Sequence, residues 1–295
     1  MIKRISRNQL NIEKYTACLN RAVNYRIYAE FWYLDVLTDQ QWDCFVYKDY
    51  EAVMPIPFQK KLGIKFISQP VYCQQLGVFH DEDLPEEILK RFHKKLKSNL
   101  VRGYHFNEEN QAILKLSNQK INQLLPLDFD YENFINSIRK NRKQEIVKGL
   151  PETYKIEISN EDQSFIELLK FDYQDISKQL NLNKLTKLVE EIQQRNLGLT
   201  VNILQQNEVV ASSFYIQSKN RLIQLCNAKK EHSKINYNTF IVDRIIKSYL
   251  KQGLILDFEG SSLKGVNEFN ASFRAKDSYF GTFKSKTFQV FFKQN

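Results

Sequence analysis

Residues Leu254–Phe273 read LILDFEGSSLKGVNEFNASF. The apolar run Leu254-Ile255-Leu256 takes up an acid at Asp257, breaks at Glu259-Gly260-Ser261-Ser262 and resumes as a helix. A buried strand that empties into a Gly/Ser turn before a helix is a place where ligands sit. The crevice of such sheets lies beyond the carboxyl ends of strands, and the helix N-terminus offers unpaired N–H groups. Immediately upstream, Thr239 to Lys251 has the spacing of an amphipathic helix that ends at Gly253. Before it, Leu199 to Leu204, Val209 to Gln217 and Arg221 to Cys226 form a meander, with turns at Gln206-Asn207 and Ser218-Lys219-Asn220. A meander followed by a strand–helix–strand crossover gives a mixed sheet with one parallel step.

Further upstream, Tyr154 to Ile158 alternates as a strand, and Glu161 to Leu169 and Leu185 to Gln194 read as helices. Phe134, Ile138 and Ile146 are spaced for one helix carrying Arg139, Lys140, Arg142, Lys143 and Lys148 on its other faces, with Gly149 as its C-terminal cap. The last residues, Phe283 to Phe292, read as one or two strands. The first part of the chain shows a similar, less complete order. A helix over Asn11 to Asn24 and an aromatic cluster over Tyr25 to Tyr33 precede a hairpin of Trp42–Tyr47 and Glu51–Pro57. Pro55 and Pro57 cannot donate to a ladder, which predicts an edge or a bulge there. Lys65 to Ser68 is a further strand, and Leu84 to Leu100 is a helix with Pro85, Glu86 and Glu87 in its first turn. Val101–Phe106 and Ala112–Leu116 read as strands around a polar turn, Asn107-Glu108-Glu109-Asn110. The expectation is an α+β protein of two units, 1–128 and 129–295.

The chain has 295 residues, 13% of them aromatic, with only 9 Gly and 6 Pro. A chain of this length buries roughly 75% of its extended surface and needs no staples. Its 43 Lys and Arg against 34 Asp and Glu leave a formal charge of +9. That balance suits phosphates or nucleic acid, and equally a solvated basic surface. Cys18, Cys44, Cys73 and Cys226 form no CxxC pair, so reduced thiols are expected. No apolar run reaches the roughly 18 residues of a membrane span, and the N-terminus has no apolar leader core. These features predict a cytoplasmic protein without a membrane span. The histidines at 80, 93, 105 and 232 have no metal-site spacing, and no metal is expected; His93, beside Lys94 and Lys95, reads as a surface residue. No Walker loop, GxSxG or GxGxxG is present.

Acyl transfer to an amine needs positioning, a proton acceptor and dipoles for the oxyanion. Asp257 and Glu259 lie two apart at a strand end, so they share a face if the strand persists. Glu259, nearer the turn, is the candidate base or amine-binding group; the alternative is a carboxylate that caps the following helix with Ser261 and Ser262. Tyr279 is a candidate acid for the leaving group. In QPVYCQQLGVF (Gln69–Phe79), the polar Gln69, Tyr72, Gln74 and Gln75 stand among apolar neighbours. They are either satisfied at a strand end or a polar lining for a cleft.

Three stretches resemble those of a known group. They are Trp42–Phe79 with VMPIPFQKKLG and QPVYCQQLGVF, the basic FINSIRKNRKQEIVKG (Phe134–Gly149), and DFEGSSLKGVNEFNASF (Asp257–Phe273). The run from 199 to 258 looks like a GNAT-type acyltransferase half, and the whole chain resembles the FemAB-like families. The resemblance implies two GNAT-like mixed-sheet halves packed side by side, and transfer of an acyl or aminoacyl group from acyl-CoA or aminoacyl-tRNA to a small-molecule or peptide amine. Asp257, Gly260, Ser261, Ser262, Phe269 and Asn270 would then border the substrate. Family members that act on peptidoglycan precursors look like they carry a Phe-Lys pair where this chain has Phe269-Asn270, and a Phe-Gly step where it has Phe273-Arg274. The loop that takes the pyrophosphate in GNAT enzymes corresponds to Ala228–Asn236, which lacks glycine and offers Lys229, Lys230 and Lys234 as point charges instead. Arg139, Lys140 and Arg142 are the candidate contacts for tRNA. The rival reading is a binding protein that keeps the fold without the chemistry, and a third is a nucleic-acid module built on the basic helix.

Overall fold

The computed structural model describes residues 1–172, 182–230, 234–260 and 263–286. Two compact units emerge, Met1–Lys120 together with the chain from Tyr279 onward, and Ile121–Ser278.

The first unit runs β1 (Ile2–Ser6), α1 (Ile12–Arg21), α2 (Phe31–Thr38), β2 (Trp42–Tyr47), β3 (Ala52–Lys61), β4 (Ile64–Ser68), β5 (Phe79–His80), α3 (Glu86–Lys97), β6 (Val101–Phe106) and α4 (Glu108–Leu114). Strands β1 to β4 form an antiparallel succession, and β4 then pairs in parallel with β6 at Ile67↔Val101 and Ser68↔Gly103. Helix α3 makes the parallel step possible. Its first turn carries Glu86 and Glu87 at the positive end of the dipole, and Ile88, Leu89, Phe92 and Leu96 form its buried face.

In the second unit follow β7 (Gln119–Pro126), α5 (Tyr131–Ser137), α6 (Lys140–Lys148), β8 (Tyr154–Ser159), α7 (Gln163–Asp172), α8 (Leu182–Gln194), β9 (Gly198–Gln205), β10 (Glu208–Ser218), β11 (Arg221–Lys229), α9 (Tyr237–Tyr249), β12 (Ile255–Asp257) and α10 (Lys264–Ser272), after which β13 (Lys276–Phe283) passes into the first unit at Tyr279. Strands β8 to β11 are antiparallel, and β11 pairs in parallel with β12 at Arg221↔Ile255 through Ile223↔Asp257. Ile241, Val242, Ile245 and Ile246 of α9 are buried against Leu199, Val201 and Leu222 of this sheet. Full burial of each such side chain contributes about 1.5–3 kcal/mol, so this crossover is held mainly by apolar packing.

Apart from the two-residue β5 in the first half and the helices α5 and α6 that lead into the second, the two halves of the sequence repeat one order: strand, two helices, three strands, helix, strand, helix, strand. The closing strands are exchanged. Strand β7, which ends the first repeat, pairs antiparallel with β12 in the second unit, and β13 pairs antiparallel with β6 in the first. That exchange is why a single cut at 128/129 does not follow the strand pairing.

Several local expectations are corrected. Asn107-Glu108-Glu109-Asn110 is a helix start, not a turn: the Asn107 side chain accepts the Asn110 N–H, and two acids occupy the first turn of α4. Ala112–Leu116 therefore contributes to that helix, and the strand comes later as β7. The short β1 gave no readable alternation. The basic stretch is two helices, because Ile138 and Arg139 are extended between α5 and α6. β3 is an interior strand, not an edge. Its prolines are tolerated because β5 covers only Ala52–Val53 and β4 only Phe58–Lys61, leaving Pro55 and Pro57 paired on the β2 side alone. His93 is not a surface residue. Its half-buried ring lies edge-on to Phe106 and Phe283, and burial with the nearby Lys97 lowers its pKa to about 4. The C-terminal strand is β13, and most of the expected 283–292 segment lies outside the described residues.

Candidate functional site

The chemistry-bearing turn belongs wholly to the second unit. Strand β12 ends at Asp257, one residue before Phe258, and the backbone then turns left-handed at Glu259 (φ 56°) and Gly260 (φ 50°). Gly260 is required there. A Cβ would meet the Ile121 carbonyl oxygen and come within 2.6 Å of the Asn122 Cα. The strand does not persist, so Asp257 and Glu259 do not share a face. Asp257 is buried with both oxygens engaged: Oδ2 accepts from Arg221 Nη1 at 2.6 Å, and Oδ1 accepts the Glu259 N–H at 2.9 Å. It is a structural anchor of the turn, and its expected contact with substrate is corrected on that ground.

β11 runs on to Lys229, but β12 accompanies it only as far as Ile223. Beyond that point the strands diverge and leave a cavity of about 380 Å³. Its walls are Gln224, Leu225, Cys226 and Asn227 from β11, Asn238 from α9, Phe258, Glu259 and Gly260 from the turn, and Gly265, Val266, Phe269 and Asn270 from α10. Among the described residues Glu259 is its one carboxylate, and no lysine or arginine lines it. The Asn270 side chain, nearly fully buried, donates to Gln123 Oε1 at 2.9 Å, and Gln123 Nε2 donates to Asp277 Oδ1 at 3.2 Å. Asn270 thus borders the cavity as part of an internal polar chain. Ser261 and Ser262 lie outside the described residues.

A second cavity, also about 380 Å³, adjoins the first at Asn227 and Asn238. It is bordered by Asp172, Ala211–Ser213, Ala228, Lys229 and the segment Lys234–Asn238, which includes the first turn of α9. No side chain caps α9. At the junction, Gln224 Nε2 donates to both Asn227 Oδ1 and Asn238 Oδ1 at 2.9 Å, and Ser213 Oγ donates to Asn227 Oδ1 at 2.5 Å. With its amide oxygen held, the Nδ2 donor of Asn238 is the end turned elsewhere. Sequence reading passed over this cluster, although Gln224 in the otherwise apolar Leu222–Leu225 was its signal. Cys226 lies at the same wall, its thiol pushed well above the ordinary range by burial and by Glu259.

The remaining candidates are dispersed. Lys229 and Lys234 border the second cavity, whereas Lys230 is paired with Glu208 at 2.8 Å; His232 lies outside the described residues. Arg142 is not a nucleic-acid contact: it is buried, donates to Ser272 Oγ at 2.9 Å, to Glu145 and to Thr239, and stacks its guanidinium over Phe269 at 4.5 Å. It pins α6 to α9 and α10. Arg139 and Lys140 remain exposed. Tyr279 is in the first unit and half exposed. Gln69, Tyr72, Gln74 and Gln75 are also in the first unit. There Gln69 bridges the Cys73 carbonyl (2.7 Å) and the His105 N–H (3.1 Å), the Gln74 carbonyl accepts His105 Nδ1–H (2.9 Å), the Tyr72 carbonyl accepts Tyr33 Oη–H (2.6 Å), and Gln75 Nε2 donates to Gln74 Oε1 (2.9 Å). They tie that unit together. Among the described residues no group of three His, Cys, Asp or Glu side chains is placed to hold a metal, and no helix is long and apolar enough to cross a membrane.

The fold as a whole is shared with solved structures. FemX superposes with a TM-score of 0.65 at 10% identity, covering 99% of this chain and 100% of that one. The fold is that of the FemAB-like, tandem GNAT proteins. An acetyltransferase of the GNAT family from Colwellia psychrerythraea gives 0.57 at 11% identity, with 97% and 100% covered. A tandem GNAT protein from the clavulanic acid biosynthesis pathway gives 0.54 at 9% identity, with 96% and 98% covered. No protein-family model and no curated protein matches the chain. The FemAB-like fold is thus carried by architecture, at identities too low to transfer a substrate.

Proposed function

We propose that this protein transfers an acyl or aminoacyl group to an amine, with the reaction centred on the cavity between β11 and β12. The observation that carries the reading is the divergence of those strands beside Glu259. Among the described residues it leaves the backbone of residues 224–229 without a partner strand on the β12 side, facing a cavity with a carboxylate in its wall. An extended donor arm can pair with that edge as an added strand does. The second cavity, with Lys229, Lys234 and the uncapped start of α9, fits the phosphates of the donor.

In this reading Glu259 holds the acceptor ammonium and takes one proton from it. The free amine attacks the acyl carbonyl carbon, and the Nδ2 donor of Asn238 offers a hydrogen bond to the oxygen as it gains charge. Collapse breaks the bond to the donor's sulfur or ribose oxygen, which leaves with the second proton lost from the amine nitrogen. Tyr279 has no part in a site built from the second unit alone. The neutral Asn270 favours one rival, a binding protein that keeps the cavity and has lost the transfer step.

Calorimetric titration with CoA, acetyl-CoA and charged or uncharged tRNA separates the readings. Saturable CoA binding supports a thioester donor. Steeply salt-dependent tRNA binding, weakened by neutralising Arg139 and Lys140, supports an aminoacyl-tRNA donor. Binding with no product in the presence of amines supports the non-catalytic rival. Once a substrate pair is found, full activity in Glu259→Gln would refute the role given to Glu259.

A further inference from the structure

On a different face of the second unit, Leu125, Pro126, Phe129 and Phe134 floor an open groove of about 430 Å³. Phe129 and Phe134 stack with centroids 4.4 Å apart. Two cations, Arg274 and Lys276, stand at its edge, and among the described residues no acidic one lines it. The nearest helix start is already satisfied, because Asp130 caps α5 through the Asn133 N–H. Arg274 has a left-handed backbone, φ 65°, a conformation suited to glycine and disfavoured for a side chain with a Cβ. Its Nε donates to the Ser137 carbonyl at 2.5 Å, which fixes the guanidinium over the groove. Neither Arg274 nor Lys276 has a carboxylate partner among the described residues.

The geometry points to a binding site for a medium-chain carboxylate. The apolar floor takes the alkyl chain. With Nε held by Ser137, the two Nη groups of Arg274 face outward as a planar pair, which matches a carboxylate end-on, and Lys276 adds a second positive charge. Groove volume is in the range of small-molecule sites. The strained backbone is retained at a position where a glycine would relieve it, and the guanidinium is what that strain positions. This site is independent of the cavity at Glu259 and of the transfer reaction proposed there.

The test is calorimetric titration of the full chain with decanoate, octanoate and decyltrimethylammonium, each below its micelle concentration. Decanoate should bind at one site, octanoate about tenfold more weakly for two fewer buried methylenes, and decyltrimethylammonium should not bind. Arg274→Gly should weaken decanoate binding at least about tenfold without lowering the thermal midpoint. Lys276→Gln should weaken it less, and Phe129→Asp should abolish it. Equal binding of the cationic and anionic amphiphiles, binding only above the micelle concentration, or wild-type affinity in both Arg274→Gly and Lys276→Gln would overturn the assignment.

Discussion

Replacing Asp257 by Asn separates an anchor from a ligand contact. The substitution preserves shape, and its Oδ1 can still accept the Glu259 N–H. It removes the charge opposite Arg221 and turns an NH2 donor toward a guanidinium that also donates. The pair is enclosed, with side-chain exposures of 11% for Arg221 and 2% for Asp257. Breaking a buried pair from one side costs about 3–5 kcal/mol, since the other charge is left uncompensated. The residual exposure of Arg221 puts this case near the lower end, about 3 kcal/mol, or a fall in the thermal midpoint of roughly 6–12 °C for a unit of this size. Urea unfolding of wild type, Asp257→Asn, Arg221→Met and the Arg221→Met/Asp257→Leu double variant completes the cycle. The double variant should recover most of the loss, because two apolar side chains leave no buried charge. A cost below about 1 kcal/mol for Asp257→Asn, together with lost binding of CoA or tRNA, would refute the reasoning and return Asp257 to the substrate.

Gly260→Ala should cost about 2–4 kcal/mol, from the left-handed backbone and the contact with Ile121 and Asn122, read by denaturant unfolding. Arg142→Lys should lower stability by about 2 kcal/mol, because an ammonium cannot serve Ser272, Glu145 and Thr239 together or stack on Phe269, while the salt dependence of any tRNA binding stays as in wild type. Acid should destabilise the first unit. Burial, with Lys120 and Lys284 nearby, lowers the His105 pKa to about 4, and that of His93 falls likewise. Between pH 6.5 and 4 the unfolded chain binds the protons that these folded rings refuse. Stability is therefore complete above pH 6.5 and declines toward pH 4, by at most about 3 kcal/mol from His105. Urea midpoints at pH 7.5 and 4.5 measure this, and His105→Gln should flatten the difference.

The fold was legible where pattern and packing agree. The Leu222–Leu225 and Leu254–Leu256 runs, the α9 face and the stop at Gly253 are local signals that the tertiary structure reinforces. The missed elements have specific causes. β7 and β13 are closing strands exchanged between repeats, and strand pairing at long range leaves no local mark in the letters. α4 was hidden because Asn107-Glu108-Glu109 serves a turn and a helix cap equally well until a partner for the Asn107 side chain is known. Within the site, Glu259 and Gly260 were recognisable as a break. The burial of Arg142 was not: a basic run gives no sign of which cation turns inward, and here the rings of Phe269 and Phe273 and the hydroxyls of Ser272 and Thr239, all remote in sequence, make that position favourable.

The repeat of element order makes the difference between the halves informative. In both, the fourth-strand equivalent starts in parallel with its neighbour and then parts from it. In the first unit the gap beyond β4 is filled by its own chain: the Gln69 N–H bonds the Gly103 carbonyl, the Leu76 N–H bonds that of His105, and the Asn107 N–H returns to Leu76. Gly77 (φ 134°) is packed against Asn110 with no room for a Cβ, so the filling segment is locked in place. The polar residues of Gln69–Gln75 are the means of that closure. In the second unit, β11 continues to Lys229 alongside β10, the turn at Glu259 pulls away, and the equivalent gap stays open. On the function proposed above, a duplicated fold that closes one crevice with its own backbone and keeps the other open, beside Glu259, should take one donor arm per chain. A binding stoichiometry of two for CoA would contradict that conclusion directly.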